Sequence, residues 1–261
     1  MKVAEIIAWL EAWSPIEREN RSDALIYGDP DREVQTLAVS LLATPRVLQA
    51  AKAAGASMLL VHEPVLHSGV IPADDPVMAQ KRAMIEELDI PIYRFHDHAH
   101  FTPFDKINCG VLRRLGWEGE FDGGKRFTFA RPTPIAEVID TVRRALSLRH
   151  LRYIGPPSLT VRRVATLFGA WGERNIYDAL LCEDVDLVLA GEACEWSLCE
   201  HARDAVELGR PRGLLLMGHM GSESAGMLYI ADALAAAHPA LSLVRLECGE
   251  TFSPLPEICR P

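Results

Sequence analysis

Histidine and carboxylate side chains follow three separate apolar segments of this chain, and each segment is typical of a buried β-strand. The first segment ends in His62-Glu63, the second in the run His96-Asp97-His98-Ala99-His100, and the third in Gly218-His219, with Glu223 shortly after. Imidazole nitrogens and carboxylate oxygens are the ligands that zinc and other divalent transition metals recruit. Since parallel α/β sheets keep their binding sites at the carboxyl ends of strands, these residues predict a metal site.

Each of these motifs also has an ordinary structural explanation. A polar loop on the surface accounts for His62-Glu63 taken alone, and a histidine-rich loop can be exposed and inert. Glu223 could simply begin a helix, where a carboxylate is favoured by the helix dipole. His219 has no such explanation at the end of an apolar strand. Because three strand ends carry ligand-type residues together, metal binding is the stronger hypothesis. The predicted ligands are His62, Glu63, Asp97, His100, His219 and Glu223.

Three further residues have weaker claims to a role in chemistry. Asp105 could be a ligand or could cap the helix that follows it. Glu192, which also follows an apolar strand, could be a general base, could orient a ligand, or could be an ordinary carboxylate at a helix start. His67 could carry protons. The chain lacks the glycine-rich nucleotide-binding motifs and the G-x-S-x-G motif, which argues against those nucleotide folds and against a serine hydrolase.

The strands that carry the motifs alternate with helical segments, such as the helix predicted from Pro76 to Leu88. Strands joined by crossover helices pair in parallel, so the predicted fold class is α/β, with mostly parallel sheet flanked by helices. Residues 116–126 are rich in glycine and charge and make the best boundary. We therefore expect an N-terminal α/β domain of residues 1–122 and a C-terminal α/β domain of residues 123–261.

Composition excludes several classes of protein. Acidic residues outnumber basic ones by 36 to 27 and the net charge is −9, which argues against a nucleic-acid partner. The six cysteines form no C-x-x-C pair or disulfide framework, which favours a reducing compartment. We find no signal peptide and no apolar run long enough to cross a membrane, so we expect a cytoplasmic protein without a membrane partner.

The sequence resembles the Nif-three-like dinuclear-metal proteins, often called GTP cyclohydrolase I type two, over nearly its whole length. The match includes residues 27–30, 51–64 and 186–192, and the family pattern G-H-x-x-[ST]-E fits residues 218–223 in full. The family motif His-His-Pro corresponds to His62-Glu63-Pro64 here. The family motif H-T-N-L-D corresponds to residues 96–100, so its aspartate ligand falls on His100, with Asp97 as a local substitute.

By this resemblance the six predicted ligands hold one or two divalent ions per subunit, such as zinc, iron or manganese, in a cleft between two α/β domains. The resemblance also implies a homo-oligomer, a ring-shaped hexamer. The leading hypothesis is a metal-dependent hydrolase of unknown substrate, with nucleotides and phosphoesters as the first candidates, in which Glu192 or His67 moves protons. The alternative is a non-catalytic metal-binding protein, either a metallochaperone or a ring-shaped interaction scaffold.

Overall fold

A computed structural model describes residues 1–67, 71–72, 74–210 and 212–252. The helices within these ranges are α1 (Val3–Trp13), α2 (Pro45–Ala53), α3 (Pro76–Leu88), α4 (Asp97–His100), α5 (Lys106–Leu115), α6 (Ile135–Ala145), α7 (Gly172–Leu181), α8 (Glu200–Glu207) and α9 (His219–Ala237), and a π-helical turn spans Glu195–Cys199. The strands are β1 (Ala24–Tyr27), β2 (Thr36–Val39), β3 (Met58–Val61), β4 (Ile92–Arg94), β5 (Gly119–Phe121), β6 (Arg126–Pro134), β7 (Arg152–Ile154), β8 (Thr160–Leu167), β9 (Leu187–Ala190), β10 (Gly213–Leu216) and β11 (Ser242–Arg245). The α/β prediction is confirmed.

The helices α2 and α3 begin with typical capping residues. In α2, the Thr44 side chain accepts a hydrogen bond from Val47 N at 3.1 Å. In α3, the Asp75 side chain accepts from Met78 N at 2.9 Å. Each helix has proline in its first turn, where the missing N–H is not needed. The prediction of α3 from Pro76 to Leu88 is confirmed. No described helix is long and apolar enough to span a membrane.

The chain folds into two compact units, and the first is built from two separate stretches of sequence. It comprises Met1–Gly110 and Gly226–Cys248, whereas the second contains Val111–Ala225 and the described residues after Cys248. This division differs from the predicted division into residues 1–122 and 123–261. The physical reason is that β11, near the end of the chain, pairs in parallel with β2 and so belongs to the first sheet.

The first unit contains a five-stranded sheet in the order β1-β4-β3-β2-β11. Strands β4, β3, β2 and β11 are parallel, and β1 is antiparallel to β4. All four residues of the central strand β3 are buried, as its apolar sequence requires. Because β3 and β4 run side by side in the same direction, the residues that follow them, from His62 and from Phe95, leave the sheet at the same edge.

The second unit contains a six-stranded mixed sheet in the order β5-β6-β8-β9-β10-β7. Its centre, β8-β9-β10, is parallel, as predicted from the apolar segments. The stretch from 116 to 126, which the sequence indicates as the best boundary, contains β5, and β5 pairs with β6 as an antiparallel hairpin. The Asp122 side chain holds the turn by accepting from Gly124 N and Arg126 N at 2.8 and 3.0 Å. Glycine and charge in this stretch therefore form the turn of the hairpin.

Candidate metal centre

Three histidines of the first unit present their ring nitrogens to one small space. One nitrogen each of His62, His96 and His100 lies within 4.8 Å of the other two. His62 follows β3, where the N–H groups of His62 and Glu63 both donate to Leu41 O at 3.0 Å, so the backbone turns out of the sheet. His100 lies on the single helical turn α4 that follows β4. Two neighbouring parallel strands therefore deliver this group.

The hydrogen bonds of His62 and His100 determine which ring nitrogens carry lone pairs. His62 Nδ1 lies 2.9 Å from Phe95 O, and because a carbonyl only accepts, Nδ1 is the protonated nitrogen. His100 Nδ1 lies 3.0 Å from the carboxylate oxygen Asp105 Oδ2 and donates to it for the same reason. When both rings are neutral, each directs its Nε2 lone pair at the other, across 3.1 Å. Two opposed lone pairs repel each other, and a cation bound by both nitrogens removes this repulsion.

A divalent transition ion fits this arrangement. Nitrogens bound to one ion at about 2.0–2.1 Å are separated by roughly 2.8–3.4 Å in octahedral or tetrahedral geometry, a range that includes the spacing observed here. Glu63 Oε1 lies 3.9 Å from His62 Nε2 and adds a carboxylate. His62 is fully buried and His100 is 8% exposed, so an extra proton here would bring a charge into a poorly solvated site. The prediction of His62, Glu63 and His100 as ligands stays a prediction, with this geometry in its support.

Within the run His96-Asp97-His98-Ala99-His100, His96 joins His100 and His62 in this group, whereas the sequence predicts Asp97 as a ligand. The buried Asp97 carboxylate accepts from Arg21 N at 3.0 Å and lies 3.0 Å from His96 Nδ1, with the Arg18 guanidinium 3.4 Å away. Burial disfavours its ionised form, but the bonds from Arg21 and His96 outweigh burial and hold the pKa of Asp97 below its usual value. Asp97 therefore orients His96, and its prediction as a direct ligand stays a prediction.

His96 was not among the predicted ligands, although it belongs to the same histidine run. Burial is the main cause that lowers the pKa of His96, and the neighbouring His100 lowers it further. A lowered pKa keeps the imidazole neutral, which is the form that binds a metal ion. The sequence alone could not choose among the residues of this run, because the choice depends on which side chains point into the group.

Two carboxylates fix the backbone and rings around this group. The Asp23 side chain is fully buried and accepts from Asp97 N at 2.7 Å and from His98 N at 3.0 Å, and it also accepts from His96 N. Asp105 combines two roles that the sequence left open, since its Oδ1 accepts from Asn108 N at 2.8 Å while its Oδ2 accepts from the His100 ring. No sequence signal pointed to Asp23, which lies far from the motif along the chain.

A second group of polar side chains lies in the second unit, at the start of α9. His219 Nδ1 lies 3.0 Å from Glu192 Oε1, and its Nε2 lies 3.3 Å from Glu223 Oε2. Glu223 is buried, whereas the Glu192 side chain is more than half exposed. The sequence predicted His219 and Glu223 as ligands, and the structure places them side by side. Glu192 holds the His219 ring, which supports its predicted role as an orienting residue.

Close packing fixes the position of Glu223. Ser222 Oγ accepts from Gly169 N at 2.9 Å and donates to His219 O at 2.7 Å, which ties the start of α9 to the end of β8. Gly169 has a φ of +78°, and a Cβ at this position would lie 2.1 Å from Glu223 Oε1. Any larger residue at this position would be strained at this φ and would have to displace the Glu223 carboxylate. His67, by contrast, lies exposed in the loop after β3, and its proposed role in proton transfer stays a prediction.

Known proteins resemble this chain over nearly all of its length. The family described as Duf34/NIF3 (NGG1p interacting factor 3) matches residues 1–250. The GTP cyclohydrolase 1 type 2 homolog of Clostridium perfringens is 23% identical over 250 residues, which cover 89% of this chain and 90% of that protein. The protein of the same name from Clostridium acetobutylicum is 21% identical over 207 residues, which cover 74% of this chain and 76% of that protein.

Solved structures share the fold at low sequence identity. A Staphylococcus aureus protein has a TM-score of 0.80 at 16% identity, covering 98% of this chain and 99% of that one. A Bacillus cereus protein related to NIF3 has a TM-score of 0.78 at 13% identity, covering 98% of this chain and 99% of that one. The likeness in structure shows the fold, and the family match covers more than half of the chain. The chain belongs to the Duf34/NIF3 family.

Proposed function

We propose that this protein is a metal-dependent hydrolase that holds one or two divalent ions per subunit. The observation that carries the proposal is the pair of opposed lone pairs on His62 Nε2 and His100 Nε2, 3.1 Å apart. Their partners, Phe95 O and Asp105, set the tautomers in the way that outer residues orient metal-bound histidines. Imidazole and carboxylate donors suit zinc, iron or manganese.

Each unit of the chain would contribute its own residues to this chemistry. A bound divalent ion supplies Lewis acidity and a water whose pKa is lowered towards neutrality. In the first unit His62, His100 and His96 would bind the ion, with Glu63 as the carboxylate donor. In the second unit His219 and Glu223 would bind metal, and Glu192 orients the His219 ring through Nδ1. The resemblance implies that both groups serve one centre, and this stays a prediction.

Elemental analysis of purified protein tests metal binding directly. We expect stoichiometric transition metal in the wild type, and loss of metal from His62→Ala and from His219→Ala. The matched control is His201→Ala, because His201 lies on α8 and packs against Tyr177, outside both groups. If both groups serve one centre, either variant loses all of the metal, whereas separate sites leave part of it. A metal-free wild type after reconstitution would contradict the proposal.

Activity then separates a hydrolase from a non-catalytic metal-binding protein. The metal-loaded protein would be assayed against nucleotides and phosphoesters, with the His62→Ala variant as the blank. A hydrolase should turn over a substrate and should release its metal slowly to a chelator. A metallochaperone should instead exchange metal rapidly and show no turnover.

The assembly state also belongs to this proposal. The family resemblance implies a ring-shaped homohexamer, and sedimentation velocity on the wild-type protein measures the assembly directly. A monomer at micromolar concentration would contradict the predicted ring without affecting the metal site.

A further inference from the structure

Arg94 is attached to the backbone of a predicted metal ligand. It is the last residue of β4, paired with Val61 of β3 on one side and with Ala24 of β1 on the other. Its Nε donates to His62 O at 3.1 Å. The guanidinium is therefore fixed beside His62 by the strand and by this hydrogen bond, and its positive charge reaches His96, whose pKa it helps to lower after burial and His100.

The rest of the Arg94 guanidinium has no protein partner within the described residues. A guanidinium has five N–H donors, and the bond to His62 O uses one of them. Several other arginines of this acidic chain lie against carboxylates, among them Arg32 with Asp89 and Arg163 with Asp184. Arg94 has no carboxylate within ion-pair distance in the part of the chain that the structure describes, although its residue is only partly exposed.

We infer that Arg94 binds an oxyanion of the substrate next to the metal group, an inference that rests on the proposed function. Its two Nη groups form the planar fork that matches two oxygens of a phosphate or a carboxylate. Because the whole chain carries a net charge of −9, its overall field repels anions, so an anionic substrate needs a local positive group at the site. Arg94 and His96 are both partly exposed, which allows a ligand to reach them.

Titration calorimetry with inorganic phosphate and with acetate tests this inference and separates the two kinds of oxyanion. The protein would be the full chain, once metal-loaded and once treated with a chelator. The variants are Arg94→Gln, which removes the charge, and Arg94→Lys, which keeps the charge but removes the fork. The matched control is Arg82→Gln on α3, because Arg82 is exposed and outside the metal group.

We expect Arg94→Gln to weaken binding of one of the two anions by about tenfold or more, with metal content and thermal midpoint close to wild type. Arg94→Lys should weaken it less, and Arg82→Gln should leave it unchanged. The anion that responds identifies the substrate group. If Arg94→Gln fails to fold, the comparison of Arg94→Lys with wild type decides.

Three results would overturn the inference. The first is anion binding that does not depend on Arg94, and the second is no binding of either anion by the wild type at millimolar concentration. The third is a loss of metal from Arg94→Gln and Arg94→Lys while the protein that keeps its metal binds the anion as tightly as wild type, because Arg94 would then only support the backbone of His62. Metal is measured on the same samples. If the wild-type protein binds no metal, the proposed function is contradicted. The inference about Arg94 is still supported if that metal-free protein binds the anion in a way that depends on Arg94.

Discussion

The candidate metal site depends on individual oxygen atoms that determine which nitrogen of a histidine ring carries the proton. Phe95 O and Asp105 Oδ2 each hold an Nδ1–H, so the remaining nitrogens of His62 and His100 are lone-pair donors before any ion arrives. Preorganisation of this kind strengthens metal binding, because the histidine rings are already in the tautomer that binds metal and do not have to change it. Glu192 does the same for His219 in the second unit.

Replacement of Asp105 by asparagine tests this role at the residue scale. The asparagine oxygen can still accept from Asn108 N and keep the start of α5, but its NH2 group then faces His100 Nδ1 and cannot accept the ring N–H. We expect metal affinity to fall about 10- to 100-fold while the thermal midpoint of the metal-free protein changes little. Competition with a chromophoric chelator measures the affinity. Equal affinities for the variant and the wild type would show that Asp105 does not support the ligand.

Gly169→Ala tests the packing of Glu223. The new Cβ would meet Glu223 Oε1 at 2.1 Å, and alanine is also strained at a φ of +78°. The control Gly172→Ala has a φ of +76° and no atom within 4 Å, so it carries the backbone strain alone. We expect urea unfolding to show a loss of about 1 kcal/mol for the control and about 1–3 kcal/mol more for Gly169→Ala. Equal losses would mean that Glu223 moves aside freely.

At the scale of elements, the ends of parallel strands bring the predicted ligands together, and the short helical turn α4 positions His100 among them. The turn α4 has only four residues and cannot hold itself in place by helical hydrogen bonds alone. Asp23 supplies the missing hydrogen bonds, because its buried carboxylate accepts from the N–H groups of consecutive residues at the start of the turn. The position of His100 thus depends on a residue that precedes β1.

Asp23→Ala should therefore loosen α4. The change leaves three partly buried N–H groups without their acceptor, and we expect the free energy of unfolding to fall by roughly 2–4 kcal/mol. Metal affinity should fall with it, because His96 and His100 lose their support. Denaturation with urea and chelator competition measure the two effects. Asp122→Ala, which removes a turn carboxylate in the second unit, is the control and should leave metal affinity unchanged.

Helix α3 carries a buried lysine whose charge opposes folding. Lys81 is 4% exposed, and burial lowers its pKa to about 8 from 10.5. Because the unfolded chain binds this proton more tightly, the wild type should gain stability as pH rises from about 8 to 10.5. Lys81→Met should be more stable at pH 7, on the order of 2 kcal/mol, and should lack this gain. Urea unfolding at several pH values measures both, and parallel pH curves for the two proteins would contradict the prediction.

At the scale of the whole molecule, the chain leaves its first unit at α5 and returns to it at α9. The division between units falls within both helices, and β11 completes the first sheet only after the second unit has been built. Folding of the first unit therefore requires contacts between residues far apart in sequence, such as those of β2 with β11. A C-terminal truncation at residue 122 would leave that sheet without its edge strand.

Metal removal should lower the stability of the whole protein. A ligand that binds only the folded state adds RT ln(1 + [L]/Kd), which is about 2.7 kcal/mol at 100 times Kd. We expect the thermal midpoint to fall on chelation of the wild type and to recover when metal is added back. The His62→Ala variant should show no such response. A wild-type midpoint that does not change with metal would mean that the ion is not bound to the native state in these conditions.

The sequence by itself determined the α/β class, the parallel central strands and the strand ends that carry ligand-type residues. Apolar runs, helix-start signals and residue types are local properties, so they can be read along the chain. Only the tertiary structure decided that His96 lies with His62 and His100 while Asp97 accepts from Arg21 N, and that Asp23, Asp105 and Arg94 each form a hydrogen bond with one of these histidines. It also decided that β11 belongs to the first unit. These outcomes depend on side-chain directions and on contacts between distant segments, which follow from packing in three dimensions and not from spacing along the chain.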